Sequence, residues 1–308
     1  MNKFLIAALV CLSFSSLFAR EVSMTGRFVA NDAQTLIFCG QNNQDSDDFV
    51  KTCGRIPAGF MVYTSLSDLS GLNSLADFGA GETSADYILK KYPKTSLQIG
   101  LYLVNALEGV AEGSFDKNID ELADYIKKAQ VPVFLRIGYE FDYPDNGYEP
   151  DLYVKAYRKI VDKFDASGVK NAAFVWHSYA AMNPKGIERY YPGDEYVDWC
   201  AISYFASPQW IPMLKFSQKH NKPLMIAECS PVSDANLKES GKLDWYKKLF
   251  SFIENNNIKA LCYINADWNS QPMFENYGWG NCKIDSSPEI KSFWLEKTAD
   301  KRYVFLNL

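Results

Sequence analysis

The feature that most constrains this chain is an alternation repeated along its length. Short apolar runs rich in β-branched and aromatic residues are each followed by a longer stretch whose apolar residues recur at helical spacing. The short runs are Leu36–Gly40, Ala58–Thr64, Ser96–Asn105, Val131–Tyr139, Ala172–Ser178, Val197–Phe205, Pro223–Cys229 and Ala260–Asn265. Runs that are apolar on both faces read as parallel strands, and the stretches between them as the crossover helices such strands require. The helical pattern is clearest over Asp151–Ala166, where Leu152, Tyr153, Ala156, Tyr157, Ile160, Val161 and Phe164 fall three or four apart and Gly168 supplies the stop. Helices are also predicted over Asn118–Gln130, Pro208–Asn221, Leu243–Asn256 and Pro288–Lys297, with shorter ones near Asp45–Thr52 and Ala85–Lys91. Eight such units in about 250 residues predict an α/β fold, a single (β/α)8 TIM barrel. A doubly wound open sheet would want a glycine-rich phosphate turn after the first strand, and Gln41-Asn42-Asn43-Gln44 stands there instead. With no linker, internal repeat or low-complexity tract, residues 20–308 read as one domain, residues 20–35 being an N-terminal extension.

Residues 1–19 read as a secretory signal. Asn2-Lys3 gives the positive start, Phe4 to Phe14 the apolar stretch, and Leu17-Phe18-Ala19 the small-residue exit before Arg20, which places cleavage after Ala19. Ser13, Ser15 and Ser16 interrupt the stretch, which falls short of the ~20 residues of a membrane span. The mature chain is therefore expected to be secreted, periplasmic or extracellular, with no membrane partner. It keeps six cysteines. Cys39 with Cys53 and Cys262 with Cys282 are the short-loop pairing options, while Cys200 and Cys229 lie inside strand-like runs and read as buried thiols. No CxxC spacing occurs and there are only 2 histidines, so no metal is expected, and nothing implies a cofactor. A net charge of −5 without a long Lys/Arg run excludes nucleic acid as the natural partner. Aromatic residues reach 15%, more than a core needs, and suggest flat platforms on which sugars stack.

In such a barrel the site forms at the C-terminal ends of the strands. Gln41, Asn105, Tyr139-Glu140-Phe141-Asp142, Trp176-His177, Tyr204, Glu228 and then Asn265, Asp267 and Trp268 stand at those ends. Glu140 and Glu228 each run directly out of an apolar strand. Two carboxylates facing across a pocket are what glycoside hydrolysis needs, one donating a proton to the leaving oxygen and one attacking the anomeric carbon. For either acid alone, a helix cap or a surface ion pair is the competing reading. Arg136 lies four residues before Glu140, which on a strand puts both on one face; it either orients the site carboxylates or forms a structural ion pair lower in the barrel. His177 either touches a sugar hydroxyl or is a satisfied strand-end histidine, and His220 is a surface residue. Tyr204 is expected to donate a hydrogen bond to Glu228, and Trp268 to wall a sugar subsite, with Trp176 and Trp210 as further stacking faces. Asp142, Asn105 and Gln41 are expected to bind sugar hydroxyls, with Asp267 beside them.

Leu135-Arg136-Ile137-Gly138-Tyr139-Glu140-Phe141-Asp142, Ala201-Ile202-Ser203-Tyr204, Met225-Ile226-Ala227-Glu228 and Asp267-Trp268-Asn269-Ser270-Gln271-Pro272-Met273-Phe274 together resemble glycoside hydrolase family 26. The resemblance runs from about Leu36 to Trp294. It implies a clan A retaining β-glycosidase with Glu140 as acid/base, Glu228 as nucleophile, Arg136 and Tyr204 supporting them, and Trp268 in a subsite. The family usually carries His just before the acid/base and Asn two after it, where this chain has Tyr139 and Asp142. The expected function is an endo-acting hydrolase of a neutral β-linked polysaccharide, β-mannan first, then mixed β-glucan or xylan. A non-catalytic carbohydrate-binding or cell-surface barrel is the alternative. No GxSxG elbow follows any strand, which argues against an esterase.

Overall fold

The computed structural model describes residues 24–180, 186–205, 209–232 and 239–306. The signal assigned to residues 1–19 lies outside the described residues. Eight parallel strands close on one another: β1 (Thr35–Gly40), β2 (Gly59–Ser65), β3 (Ser96–Tyr102), β4 (Val133–Ile137), β5 (Ala172–Ser178), β6 (Trp199–Tyr204), β7 (Leu224–Cys229) and β8 (Ala260–Ile264). Each pairs with the next in sequence, and β8 pairs back onto β1 from Leu36↔Ala260 to Gly40↔Ile264. The chain is a (β/α)8 barrel. A two-strand hairpin at Ala76–Asp77 and Glu82–Thr83 decorates the loop after β2, and β9 (Tyr303–Val304) adds to β1 at the opposite end.

The helices are α1 (Asn43–Cys53), α2 (Ala85–Lys91), α3 (Leu107–Glu112), α4 (Asp116–Ala129), α5 (Pro150–Ala166), α6 (Ile211–Lys219), α7 (Glu239–Asn255) and α8 (Pro288–Thr298). Helix α5 shows why they form. Glu149 caps it by accepting from Leu152 N at 2.8 Å, Pro150 opens the first turn, and Tyr153, Ala156, Tyr157, Ile160, Val161 and Phe164 form its buried face. Among the described residues the crossover from β5 to β6 carries a 3-10 turn, Ile187–Tyr190, in place of an α-helix.

Strand alternation sorts side chains into two layers. Ile37, Val62, Leu97, Leu135, Trp176, Ile202, Ile226 and Leu261 face the helices, whereas Phe38, Met61, Phe134, Val175, Trp199, Met225 and Cys262 fill the barrel. Phe134 meets Phe38 and Trp199 edge-on at 5.3 and 5.4 Å, a packed interior and not a pore. The segment before β1 closes the floor: Phe28 reaches Phe134, Arg27 donates to Ala172 O at 2.9 Å, and its own carbonyl accepts from Trp199 Nε1 at 2.8 Å. Five of the six described cysteines are buried, and Cys39, Cys53, Cys200, Cys229 and Cys262 are free thiols, so the Cys39–Cys53 pairing does not form.

Candidate active site

The alternation that fills the barrel also decides what reaches its mouth. On β4, Phe134 and Arg136 point inward, and Arg136 is fully buried. On β5 the inward residues are Ala173, Val175 and His177, and on β6 they are Trp199, Ala201 and Ser203. On β7 the rule is broken once. Ile202 pairs with Ile226 but Ser203 pairs with Glu228, so Ala227 and Glu228 together oppose a single residue of β6. This bulge turns Glu228 inward, where strict alternation from Met225 and Ala227 would have sent it toward the helices.

Glu228 is 8% exposed, and its Oε1 accepts from Tyr63 Oη at 2.7 Å and from Arg136 Nη1. The guanidinium lies between two aromatic rings, 4.9 Å from the Tyr63 centroid and 5.0 Å from that of Tyr139. Burial works against its charge, yet Tyr63 and Glu228 hold it protonated more firmly than in water. Gly100 on β3 makes the arrangement possible, because a Cβ there would stand 2.6 Å from the Tyr63 ring and 2.8 Å from Arg136 Nη2.

Glu140 arrives by another route. Strand β4 ends at Ile137, and Gly138 and Glu140 then take left-handed conformations at φ +54° and +52°. A Cβ at Gly138 would also stand 2.9 Å from Tyr153 Cε2, so glycine is needed twice over. Asn146 Nδ2 donates to Glu140 O at 2.9 Å, and Phe141 N to His177 O at 3.0 Å, which fixes the turn. The Glu140 side chain is half-buried, and its Oε1 accepts from Ser203 Oγ at 2.6 Å. Burial and then the Glu228 charge push its carboxyl up to about 8, with Ser203 and Arg136 pulling the other way.

The predicted residues divide sharply. Glu140, Glu228, Arg136, Tyr139 and His177 converge on one mouth. Arg136 does so by meeting Glu228, not through strand spacing to Glu140, which lies beyond the strand. His177 is fully buried, between Arg136 Nη1 at 3.3 Å and Ser203 Oγ at 3.1 Å, so it is a satisfied strand-end histidine without a free face for sugar. Tyr204 does not reach Glu228. Its neighbour Ser203 takes the inward slot, and the Tyr204 ring packs against Trp245 and Phe252 among the helices; the hydroxyl on Glu228 comes from Tyr63. Asp142 is occupied as well, accepting from Ser178 Oγ at 2.7 Å and Tyr179 N at 2.6 Å, which ties the β4 turn to the end of β5.

Trp176 faces outward, stacked on Phe141 at 4.6 Å, and Trp210 lies half-buried against Phe252, so neither is a sugar platform at the mouth. Trp268 is 3% exposed, donates to Ser230 Oγ at 3.1 Å and forms the base of a cluster with Phe274 and Trp279. Asp267 caps the short turn beneath it by accepting from Asn269 N. Gln41 is half-buried with Oε1 unpartnered among the described residues, and Asn105 is exposed beyond the end of β3. Tyr63, Ser203 and the exposed Tyr102, whose ring lies 6.3 Å from Tyr139, were not anticipated. The signal for the first two was present in the sequence: each is a polar group two residues after an inward position of an apolar strand. Among the described residues no group of three His, Cys, Asp or Glu side chains is placed to hold a metal ion.

Comparison with known proteins agrees with this geometry. The family model described as glycosyl hydrolase family 26 matches residues 89–233. Beta-1,3-xylanase TXYA of a Vibrio species is 31% identical over 316 residues, covering 92% of this chain and 68% of its own. A beta-1,3-xylanase of an Alcaligenes species is 30% identical, covering 92% and 67%. Among solved structures, the family 26 β-mannanase of Bacteroides ovatus superimposes with a TM-score of 0.65 at 16% identity, over 89% of this chain and 90% of that one, a likeness of fold. Sequence identity of this order, sustained over two thirds of each xylanase and joined by a family match that runs from β3 through β7, shows that the chain belongs to glycosyl hydrolase family 26 and is a glycoside hydrolase.

Proposed function

We propose that the chain is a secreted, retaining endo-β-glycosidase of a neutral β-linked polysaccharide, with Glu228 as nucleophile and Glu140 as acid/base. The carrying observation is the unlike setting of the two acids. Glu228 accepts from an arginine and a tyrosine on one oxygen, which leaves the other oxygen free to attack and holds the carboxyl in place as a nucleophile. Glu140 is pushed up to about 8 and so keeps a proton at neutral pH. A carboxyl that keeps its proton, facing one bound by a cation, assigns the acid and the nucleophile. In the first step an oxygen lone pair of Glu228 bonds the anomeric carbon, the glycosidic C–O bond breaks, and the departing oxygen takes the Glu140 proton. Water then bonds the same carbon, gives its proton to Glu140 and releases Glu228.

For the substrate, the relatives that align over 92% of the chain are named beta-1,3-xylanases, whereas the mannanases share only the fold at 16% identity or thereabouts. We therefore place β-1,3-xylan before β-mannan, reversing the order expected from the family resemblance. A panel of β-1,3-xylan, β-1,4-xylan, mannan, mixed β-glucan and a uronic-acid polymer, read by new reducing ends, tests this. Release from β-1,3-xylan with retained anomers by NMR is expected. Inverted products, or binding without new reducing ends, would refute the mechanism.

A further inference from the structure

Between the two acids runs a continuous line of hydrogen bonds: Glu228 Oε1, Arg136 Nη1, His177 Nδ1, then from His177 Nε2 to Ser203 Oγ, and from Ser203 Oγ to Glu140 Oε1. Its direction follows from one fact about arginine, which only donates. His177 Nδ1, 3.3 Å from Arg136 Nη1, must then be the acceptor, so the proton of the neutral ring sits on Nε2. That N–H points at Ser203 Oγ 3.1 Å away, and the serine hydroxyl, having accepted there, donates to Glu140 Oε1 at 2.6 Å.

We infer that Ser203 and His177 are positioning residues that fix which oxygen of Glu140 carries the catalytic proton: Oε1 accepts from Ser203 as a carbonyl-type oxygen, and the proton resides on Oε2, toward the leaving group. The inference rests on the proposed role of Glu140 as acid/base and adds the atom. If Oε1 carried the proton, Ser203 would either accept from both Glu140 and His177, leaving its own buried hydrogen without an acceptor among the contacts described, or turn that hydrogen toward His177 Nε2. The ring would then need its proton on Nδ1, facing the arginine donor. A doubly protonated ring is opposed by burial and by the same guanidinium, which keep His177 well below the usual histidine range. When Glu140 has given up its proton, the serine bond supports the carboxylate that must next draw a proton from water. Around Glu140 the other charged or titratable groups are Glu228 from β7, Arg136 from β4, and Asp142, Tyr139, Tyr143 and Tyr148 from its own turn and the loop after it.

Two measurements test this. The first needs no turnover. With 2 histidines in the chain, nitrogen-15 NMR of the labelled protein and of His220→Gln assigns His177 directly. We expect an unprotonated Nδ1 and a protonated Nε2 at neutral pH; the opposite tautomer, or a doubly protonated ring, would overturn the chain. The second compares Ser203→Ala with Ser203→Thr on aryl and alkyl β-glycosides. Misplacing an acid's proton matters when the leaving group needs it, so Ser203→Ala should lose about tenfold or more in kcat/KM on poor leaving groups and under about threefold on activated ones. Its basic limb should move to higher pH, because the serine bond favours the ionised acid, and Ser203→Thr should recover both. Equal losses on both substrates with an unmoved basic limb would refute the positioning role. A wild-type protein inactive on every glycoside would instead remove the acid/base assignment, while the histidine tautomer would still be read.

Discussion

Replacing Glu140 by Gln should make the protein more stable at alkaline pH while impairing it as a catalyst. The folded state holds the Glu140 proton up to about pH 8, whereas a carboxyl of this kind in the unfolded chain ionises near 4.5. Below pH 4.5 both states are protonated and the residue leaves stability unchanged. Above it the unfolded chain binds fewer protons than the folded one, so stability falls as pH rises and the loss is complete above about 8. At ~1.4 kcal/mol per pH unit, the interval from 4.5 to about 8 corresponds to at most about 5 kcal/mol. The side chain is half-buried and meets water on its pocket side, which reduces the expected effect to about 1–3 kcal/mol. A glutamine cannot ionise, and its amide oxygen can still accept from Ser203. Urea unfolding of both proteins at pH 5, 7 and 9 gives the difference, in which titrating groups distant from Glu140 cancel. Variant minus wild type should widen steadily toward pH 9, and the basic limb near pH 8 should vanish from the variant's activity on an activated aryl glycoside. A difference that stays flat with pH would refute the placement of the proton on Glu140.

Tyr63→Phe removes one of the two donors on Glu228 Oε1. A hydrogen bond to a charged group is worth about 1.5–3 kcal/mol, so urea unfolding should register a loss of about that size with a lowered Tm, and kcat/KM should fall about tenfold or more because the carboxylate is held less firmly. Arg136→Leu strands a carboxylate that is 8% exposed without its charge partner; unfolding in urea should register a loss of about 3–5 kcal/mol at neutral pH. Gly138→Ala forces a side chain into φ +54° and against Tyr153, so we expect about 1–3 kcal/mol of lost stability together with reduced kcat, since the turn that aims Glu140 must shift; full activity in that variant would show that the turn tolerates the change.

The eight strands were legible because each is an apolar run a few residues long, and their observed ends lie within three residues of the expected ones. The apolar pattern of β4 extends through Tyr139, but the strand ends at Ile137 because Gly138 turns the chain left-handed before Glu140. The two acids were legible as carboxylates that leave buried strands. Their supporters were less so, since support depends on which face of a strand a residue takes. The strand-end hydroxyl of Tyr204 suggests a partner for Glu228, yet Trp199, Ala201 and Ser203 hold the inward positions of β6 and leave Tyr204 outside. The same alternation carries Trp176 outward and His177 inward. Asp142 looks like a sugar ligand in the sequence because no pattern there reveals that Ser178 and Tyr179 claim both its oxygens.

The proposed site lies where the barrel departs from its own regularity, and each departure does something that regular strands cannot. Alternating strands deliver inward side chains at every second residue, a spacing that serves a packed interior of rings such as Phe38, Phe134 and Trp199. Catalysis by two carboxyls needs them at one level with different surroundings. The extra residue in β7 turns Glu228 inward at the level of Ser203, on the neighbouring strand. The left-handed turn after β4 brings Glu140 back toward the same serine from the opposite side. Gly100, by lacking a side chain, leaves the room in which Arg136 and Tyr63 both reach Glu228. Straightening any one of these would leave a barrel of the same architecture with its acids apart. Conformations that cost about 1–3 kcal/mol each persist here because the surrounding hydrogen bonds to Asn146, His177 and Ser203 hold them.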